Sequence, residues 1–379
     1  MALKIQQQEL HDLIQKAYPV VPSKSTLQIL QNFKVSLRGN EFEIAATDLD
    51  HSIIVKANVE PADEFSIAVN ARKITEIVRE LPRGSIEITV DDNVFIINSE
   101  KGFSCKIAGA DTADFPDPPQ VESMCALDIE ATLLCELIQK SSFAVSRDES
   151  RAVLCGVLFE IDAERIGMVA TDGHRLGSSF VPGAYQVERL FSPIIAPRSL
   201  QHVYRLVNSN EQSAAVTLDI GEKYIMFSQG NIVLCSKLID GPYPDYQKVI
   251  PAENPKQAIM ERDIVIDAVR RVSVLSNQKT NLVKFNFSSN EAELIVLNRD
   301  IGGEARERIA VGYEHENHSI GFNAHYLSEI MGIIQSPKVR LEMNTQISAC
   351  LLFPHFDDEK DKKSDDLFLI MPLRIVEEI

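Results

Sequence analysis

Three times along its 379 residues the chain spells the same succession of hydrophobic patterns, at a spacing of roughly 125 residues. A repeat of that length restricts the fold before any single residue is considered. Each copy opens on an amphipathic helix. The apolar stripes are Leu10, Leu13, Ile14 and Ala17 over about 8–18, Leu133, Leu134, Leu137 and Ile138 over about 130–143, and Ile264, Ile266, Val269 and Val272 over about 262–275, spacings that predict one buried face apiece. Strand-like runs follow and reach a polar turn: Thr47-Asp48-Leu49-Asp50, then Thr171-Asp172-Gly173-His174-Arg175, then Asn298-Arg299-Asp300. A further strand leads into a second helix, at 65–78, 191–203 and 318–330, and two strands close each copy, at 85–98, 214–228 and 338–353.

Strands with one apolar and one polar face need a layer over the apolar side. Two helices per copy supply it. The expected fold class is therefore α+β: three repeated modules, each with two helices packed on antiparallel sheets of about eight strands in all. The first two copies end in matching proline turns, Asp114-Phe115-Pro116-Asp117 and Pro242-Tyr243-Pro244-Asp245, which stop the last strand. Domain boundaries are expected at 1–122, 123–251 and 252–379.

Only the second copy decorates its turn with glycine, imidazole and guanidinium, in Ala170-Thr171-Asp172-Gly173-His174-Arg175-Leu176. A catalytic reading would take Ser178 or Ser179 as nucleophile, His174 as base and Asp172 as its orienter. Asp172 and His174 share one tight turn, however, and no G-x-S-x-G elbow exists, so the turn reads as scaffold. His315-Glu316-Asn317-His318 has no further ligands nearby and reads as a solvated loop before a strand. The run 357–366 has calcium-loop composition but neither the central glycine nor the terminal glutamate, and reads as a solvated hairpin tip. No phosphate-binding glycine loop is present. No metal and no cofactor are expected. At the C-terminus, Leu369, Met371, Pro372 and Leu373 form an apolar, proline-broken run in which some side chains are expected to stay exposed.

The net charge of −17 opposes nucleic-acid binding only if it is evenly spread, and the six helix windows taken together are nearly neutral, so the acidity lies in strands and loops. Arg72, Lys73, Arg79, Arg83, Arg198, Arg205, Arg270 and Arg271 are on those helices. Two readings stand: ordinary solvation of helices, or a helix-lined surface that tolerates phosphates inside an acidic shell and makes weak, salt-sensitive contacts without base readout. No apolar run approaches the length of a membrane span, and the N-terminus turns polar at once, unlike a signal peptide. The six cysteines include no C-x-x-C pair, so reduced thiols in a cytoplasm are expected.

The repeats together with Thr-Asp-Leu-Asp at 47–50, Ala-Asp-Phe-Pro at 113–116, Ala-Thr-Asp-Gly-His-Arg-Leu at 170–176, Ser-Lys-Leu-Ile-Asp-Gly-Pro-Tyr-Pro-Asp-Tyr at 236–246, Gly-Phe-Asn at 321–323 and Met-Pro-Leu-Arg at 371–374 resemble the bacterial sliding-clamp family, the beta subunits of DNA polymerase III. The resemblance covers nearly the whole chain in order. It implies a head-to-tail homodimer, ring-shaped, with helices facing the hole. Such a ring slides on duplex DNA without sequence preference and tethers the replicative polymerase alpha subunit, the clamp loader and other clamp-motif proteins, with no catalytic chemistry and no membrane partner.

Carried over position by position, the resemblance implies a partner-peptide pocket between the second and third domains. One wall would be Leu154, Thr171, Gly173, His174, Arg175, Leu176, Pro244, Lys248 and Val249. The other would be Asn323, Tyr326, Ile347, Leu369, Ile370, Met371, Pro372, Leu373 and Arg374, with Arg175 and Arg374 available to partner carbonyls or a carboxylate. The implied DNA contacts are Lys24, Arg72, Arg79, Arg147, Arg151 and Arg198. The implied dimer seam sets Phe103 and Cys105 against Val274 and Leu275, and Lys73 against acids such as Glu304 or Glu307. The chain departs from the family at Lys24-Ser25-Thr26-Leu27-Gln28, where an opening rich in proline is usual. It also departs at Ala152 and Val153, where some members carry aromatics, near Thr280, which lacks a pocket aromatic, and in the tail Ile375–Ile379, which would start beside the pocket. The rivals to this reading are a diverged or spare clamp with a drug-tolerance role and an enzyme using His174.

Overall fold

A computed structural model describes residues 2–208, 215–358, 360 and 362–375. Each repeat contributes two helices: α1 (Gln7–Ala17) and α2 (Ala71–Glu80), α3 (Ala131–Ser142) and α4 (Pro197–Asn208), α5 (Arg262–Ser273) and α6 (Ala324–Ile333). Leu10, Leu13, Ile14 and Ala17 of α1 are buried as the pattern predicts, and the buried amide of Gln7 donates to Val78 O of α2 at 2.7 Å. Asn70 and Asn323 cap α2 and α6 with their side-chain oxygens, whereas α4 begins on Pro197, whose fixed φ suits a first helical turn.

The third stripe is rotated from its expectation. α5 buries Val265, Ala268, Val269 and Val272, leaving Ile264 exposed and Ile266 half-buried. Successive helical residues lie ~100° apart, so a stripe beginning one residue later still shares Val269 and Val272.

The contacts gather into two compact units, Met1–Cys135 with Arg198–Leu238, and Glu136–Pro197 with Ile239–Ile379. The cut passes through the second repeat because the large sheets join strands of successive copies. In the first unit an eight-stranded antiparallel sheet runs from the strands of copy one (Asn32–Arg38, Glu41–Thr47, His51–Asn58, Phe65–Asn70) into those of copy two (Cys125–Glu130, Ala215–Ile220, Tyr224–Gln229, Ile232–Lys237), joined where His51–Asn58 pairs with Ile232–Lys237. In the second unit the same scheme joins Val157–Ile161, Arg165–Thr171, Arg175–Pro182 and Ile194–Ile195 of copy two to Lys256–Glu261, Lys338–Met343, Cys350–His355 and Asp365–Ile370 of copy three, through Arg175–Pro182 beside Asp365–Ile370. Two four-stranded sheets remain. One ends in the edge strand Ser104–Ala108 of copy one, the other in the edge strand Gly303–Ala310 of copy three.

Alternation along these strands sends apolar side chains to two cores in the second unit. Phe285, Phe287, Phe322, Phe368 and Ile370 pack under α5 and α6, while Leu176, Leu351 and Leu369 face the opposite side with Phe180 and Tyr246. The closing hairpin of copy three has its strand at Cys350–His355 rather than from residue 347, so Ile347 lies in the connecting turn.

Candidate functional site

The polar turn exists in the first two copies with the same hydrogen bonds. Thr47 Oγ1 donates to His51 O at 2.9 Å, and Thr171 Oγ1 donates to Arg175 O at 2.7 Å. Asp48 Oδ1 accepts from the N–H groups of Asp50 and His51, and Asp172 Oδ1 accepts from those of His174 and Arg175. Leu49 takes a left-handed φ of 81° where the second copy has Gly173 at 90°. The glycine removes the strain a side chain carries there. In the third copy Asn298 Oδ1 accepts from Asp300 N at 3.2 Å. Asp172 is thus a turn-former, and its Oδ2 meets Arg175 Nε at 3.2 Å, not the His174 ring. Ser179, offered as a nucleophile, donates instead to Asp366 at 2.6 Å.

What the second copy adds is a wall. Met371 N donates to His174 O at 2.7 Å and Leu373 N donates to Gly321 O at 2.8 Å, which draws the segment 371–373 from the turn to the end of the strand His318–Asn323. A Cβ on Gly321 would lie 2.7 Å from Leu282 Cδ1 and 2.9 Å from Leu373 O, so this approach needs glycine. Leu176 pairs in register with Leu369, and both join Met371 in one apolar cluster. Thr171 N is held by Tyr243 Oη at 3.1 Å, and burial pushes the Tyr243 phenol up to about 12. Asn323 is engaged as the cap of α6 and accepts from Tyr326 N at 3.3 Å. Met371, Pro372 and Leu373 stay partly accessible, while His174, Pro244, Lys248, Val249, Ile347 and Arg374 are exposed. Leu154 is buried at the end of the short helical turn Glu149–Cys155.

Two expected wall residues are placed differently. Ile370 is fully buried in the helix-side core, because alternation turns it away from the face that Leu369 occupies. Arg175 is only 6% exposed. Its Nε meets Asp172, its Nη1 pairs with Glu329, its Nη2 donates to Phe143 O at 2.9 Å, and its plane lies 4.3 Å from the Tyr326 ring centroid. It ties the turn to α6 and to Phe143, with one bond from each of its three nitrogens.

The remaining candidates are dispersed over the two units. Lys24 and Arg147 are exposed. Arg72 pairs with Glu76 at 2.9 Å, Arg79 with Glu80 at 3.0 Å, and Arg198 with the buried Asp48 at 2.9 Å. Burial pushes the Asp48 carboxyl up, but its bonds to His51 and the charge of Arg198 prevail and hold it below the usual range. Arg151 pairs with Asp148 and reaches Asp172 O at 3.4 Å, beside the wall. Of the expected seam residues, Lys73 on α2 and Phe103 are exposed, Cys105 on the edge strand of copy one and Leu275 after α5 are partly so, and Val274 is 78% exposed. Glu307 is bound through both oxygens by Arg271, and Glu304 pairs with Arg306. His318, expected in a solvated loop, begins a strand and is buried. Residues 359 and 361 of the acidic hairpin and 376–379 of the tail lie outside the described residues.

Models of the DNA polymerase III beta subunit match three successive stretches of the chain: the N-terminal domain over 1–119, the central domain over 128–245 and the C-terminal domain over 247–372. The beta sliding clamp of Caulobacter vibrioides (strain NA1000 / CB15N) is 30% identical over 383 residues, covering 99% of this chain and 100% of the relative. The chain belongs to the DNA polymerase III beta subunit family. The beta sliding clamp of Pseudomonas putida is 28% identical over 378 residues, again with 99% and 100% covered. The crystal structure of the beta subunit from Pseudomonas aeruginosa superposes with a TM-score of 0.92 at 27% identity, over 99% of this chain and 100% of that one.

In this beta subunit, Glu329, Phe143 and Tyr243 were not among the residues expected at the wall, though they fix its geometry. The repeat carries a signal for one of them. Aligning the second helices of the copies sets Glu329 of α6 against His202 of α4 and Glu76 of α2, so a titratable residue recurs at that helical position.

Proposed function

We propose that two copies of this beta subunit close head-to-tail into a ring around duplex DNA. The chain is a DNA polymerase processivity factor, the role of the sliding-clamp family. One observation carries the ring. Twice in the chain, the strand after the polar turn of one copy pairs with the last strand of the next copy, His51–Asn58 with Ile232–Lys237 and Arg175–Pro182 with Asp365–Ile370. That rule leaves Gly303–Ala310 of copy three and Ser104–Ala108 of copy one as unpaired edges. An unpaired edge is a template for another chain, and two copies related by a twofold axis satisfy both edges and close. The domains are read as 1–122, 123–251 and 252–379, and the seam as Phe103 and Cys105 against Val274 and Leu275. Lys73 then meets Glu304, which Arg306 holds through one oxygen, more readily than Glu307, which Arg271 holds through both.

Duplex contacts are assigned to Lys24, Arg72, Arg79, Arg147, Arg151 and Arg198. Four of the six are already paired with acids of the same chain. Competition from those acids keeps phosphate binding weak and salt-sensitive, as sliding requires. The polymerase and other clamp-motif partners dock an extended apolar motif between 171–176 and 369–373, with Leu176, Leu369 and Met371 as floor. No catalytic step is assigned, since Asp172 is spent on its turn. Among the described residues no helix is long and apolar enough to cross a membrane. A cytoplasmic site follows from the replication role. No observation favours a spare clamp with a drug-tolerance role. Loading the chain on circular DNA and then linearising it tests the ring: it is expected to stay on the circle and leave the linear form, and equal retention on both overturns the reading.

A further inference from the structure

On the face of the sheet that carries Leu176 and Leu369, but farther along the same two strands, lies a cavity of about 510 Å³ lined in part by Arg165, Phe180, Tyr246, Arg340, Phe353 and Leu367. That volume falls in the range of sites that enclose a ligand group. Its chemistry is distinctive. The Arg165 guanidinium lies 4.4 Å from the centroid of Phe180, and that of Arg340 lies 4.8 Å from the centroid of Phe353. Stacking fixes each planar fork against a ring and lowers the entropy lost when it binds a carboxylate. Arg165 Nε lies 3.4 Å from Asp162 Oδ2, and Arg340 Nε lies 3.0 Å from Glu342 Oε1. The acids lining the cavity already have partners: Asp365 pairs with Lys362, itself on the lining, at 2.6 Å, and Asp366 pairs with Lys140 at 2.9 Å and accepts from Ser179 at 2.6 Å. In a chain of net charge −17, this is an apolar hollow with two preset cationic forks.

The cavity is continuous with the docking wall. Leu176 and Phe180 alternate on one strand and Leu369 and Leu367 on its neighbour, and all four belong to one cluster. The short turn Tyr246–Val249 serves both places: Tyr246 and Gln247 line the cavity, and Lys248 and Val249 belong to the expected wall. From Leu176 to Phe180 the strand advances about 13 Å, some four residues of extended chain.

We propose that this cavity is an accessory subsite for the same partner peptides: it takes an acidic residue with an apolar neighbour from the segment flanking the docking motif. The carboxylate meets the forks of Arg165 and Arg340, and the apolar side chain covers Leu367 and the Tyr246 ring. This rests on the docking reading above. The test is a fluorescence-polarisation titration of the full-length chain with three peptides. One carries only the docking motif of a replicative polymerase alpha subunit. The others extend it at either end by six residues containing Glu-Phe or Gln-Phe. The Glu-Phe flank is expected to bind about tenfold tighter than the Gln-Phe flank at low salt. R165Q/R340Q is expected to remove that advantage while leaving the affinity for the unflanked peptide unchanged, which also controls for folding. Equal affinity of the two flanks, or an advantage that survives R165Q/R340Q, overturns the proposal. If the unflanked peptide does not bind at all, the docking reading itself falls, and this proposal with it.

Discussion

Arg175 is paired with Glu329 across 154 positions of sequence. The pair ties the turn of the second copy to the second helix of the third. Removing the guanidinium leaves Phe143 O without its donor and the partly exposed Glu329 with only His325, at 3.6 Å, among the described residues. Losing such charge-assisted bonds costs about 2 kcal/mol. Arg175→Ala is expected to lower the urea midpoint accordingly and to weaken docking-peptide binding. Glu329→Gln keeps a hydrogen-bond acceptor and is expected to cost about 1 kcal/mol. An unchanged midpoint for Arg175→Ala would show that the clasp carries no stability.

The corresponding place in the first unit holds a pair of histidines. His51 and His202 meet edge to face at 5.8 Å, both buried, each with an Nε2 that has no partner. Burial, reinforced by the charges of His51, Arg198 and Arg205, pushes His202 down to about 4 from 6.5. The unfolded chain therefore binds the proton more readily than the folded one. His202 contributes nothing against stability above pH 6.5, and stability falls as pH drops from 6.5 toward 4, by up to about 3 kcal/mol. Denaturation measured across that window should show the loss, and His202→Phe should flatten it. A wild-type profile level from pH 7 to 4.5 would contradict the assignment.

Gly321→Ala sets a methyl against Leu373 O and Leu282. The segment 371–373 must shift, so docking-peptide affinity is expected to fall about tenfold with the mass in solution unchanged. Deleting Met371–Ile379 should abolish peptide binding and likewise spare the dimer. Wild-type peptide affinity in either variant would show that the wall lies elsewhere.

Val274→Asp alters a residue that is 78% exposed in the single chain, where substitutions change stability by about 0.5 kcal/mol or less. A buried, unpaired carboxylate at the seam is another matter. Light scattering is expected to report a monomer, and the protein should no longer be retained on circular DNA. A dimer of wild-type affinity would place the seam away from α5.

Much of this was legible in the residues. Thr47 and Thr171 mark one turn twice, and Gly173 answers to the φ that Leu49 adopts under strain. The helices were found to within a few residues because 3.6-residue periodicity is a local signal. The stripe of α5 was displaced because Ile264 and Val265 are equally apolar, and only packing decides which faces inward. The exchange of strands between copies was not legible, since alternation shows that a strand has two faces but not which strand lies beside it. The partners of Arg175 were not legible for a related reason: sequence does not show that its guanidinium is committed in the fold to Asp172, Glu329 and Phe143.

The shared sheets have a consequence for how such a chain can be divided or inherited. A solenoid repeat stacks on its neighbour and can be added or lost whole. Here each copy lends strands forward and borrows them from behind, so the segment between two linkers is not an autonomous body. Cutting at residue 122 or 251 would strip a large sheet of half its strands and bare the edge at His51–Asn58 or Arg175–Pro182. Lengthening such an array by one copy would require the new member to fit both neighbours at once. The number of copies is therefore held by geometry as firmly as any side chain in the core.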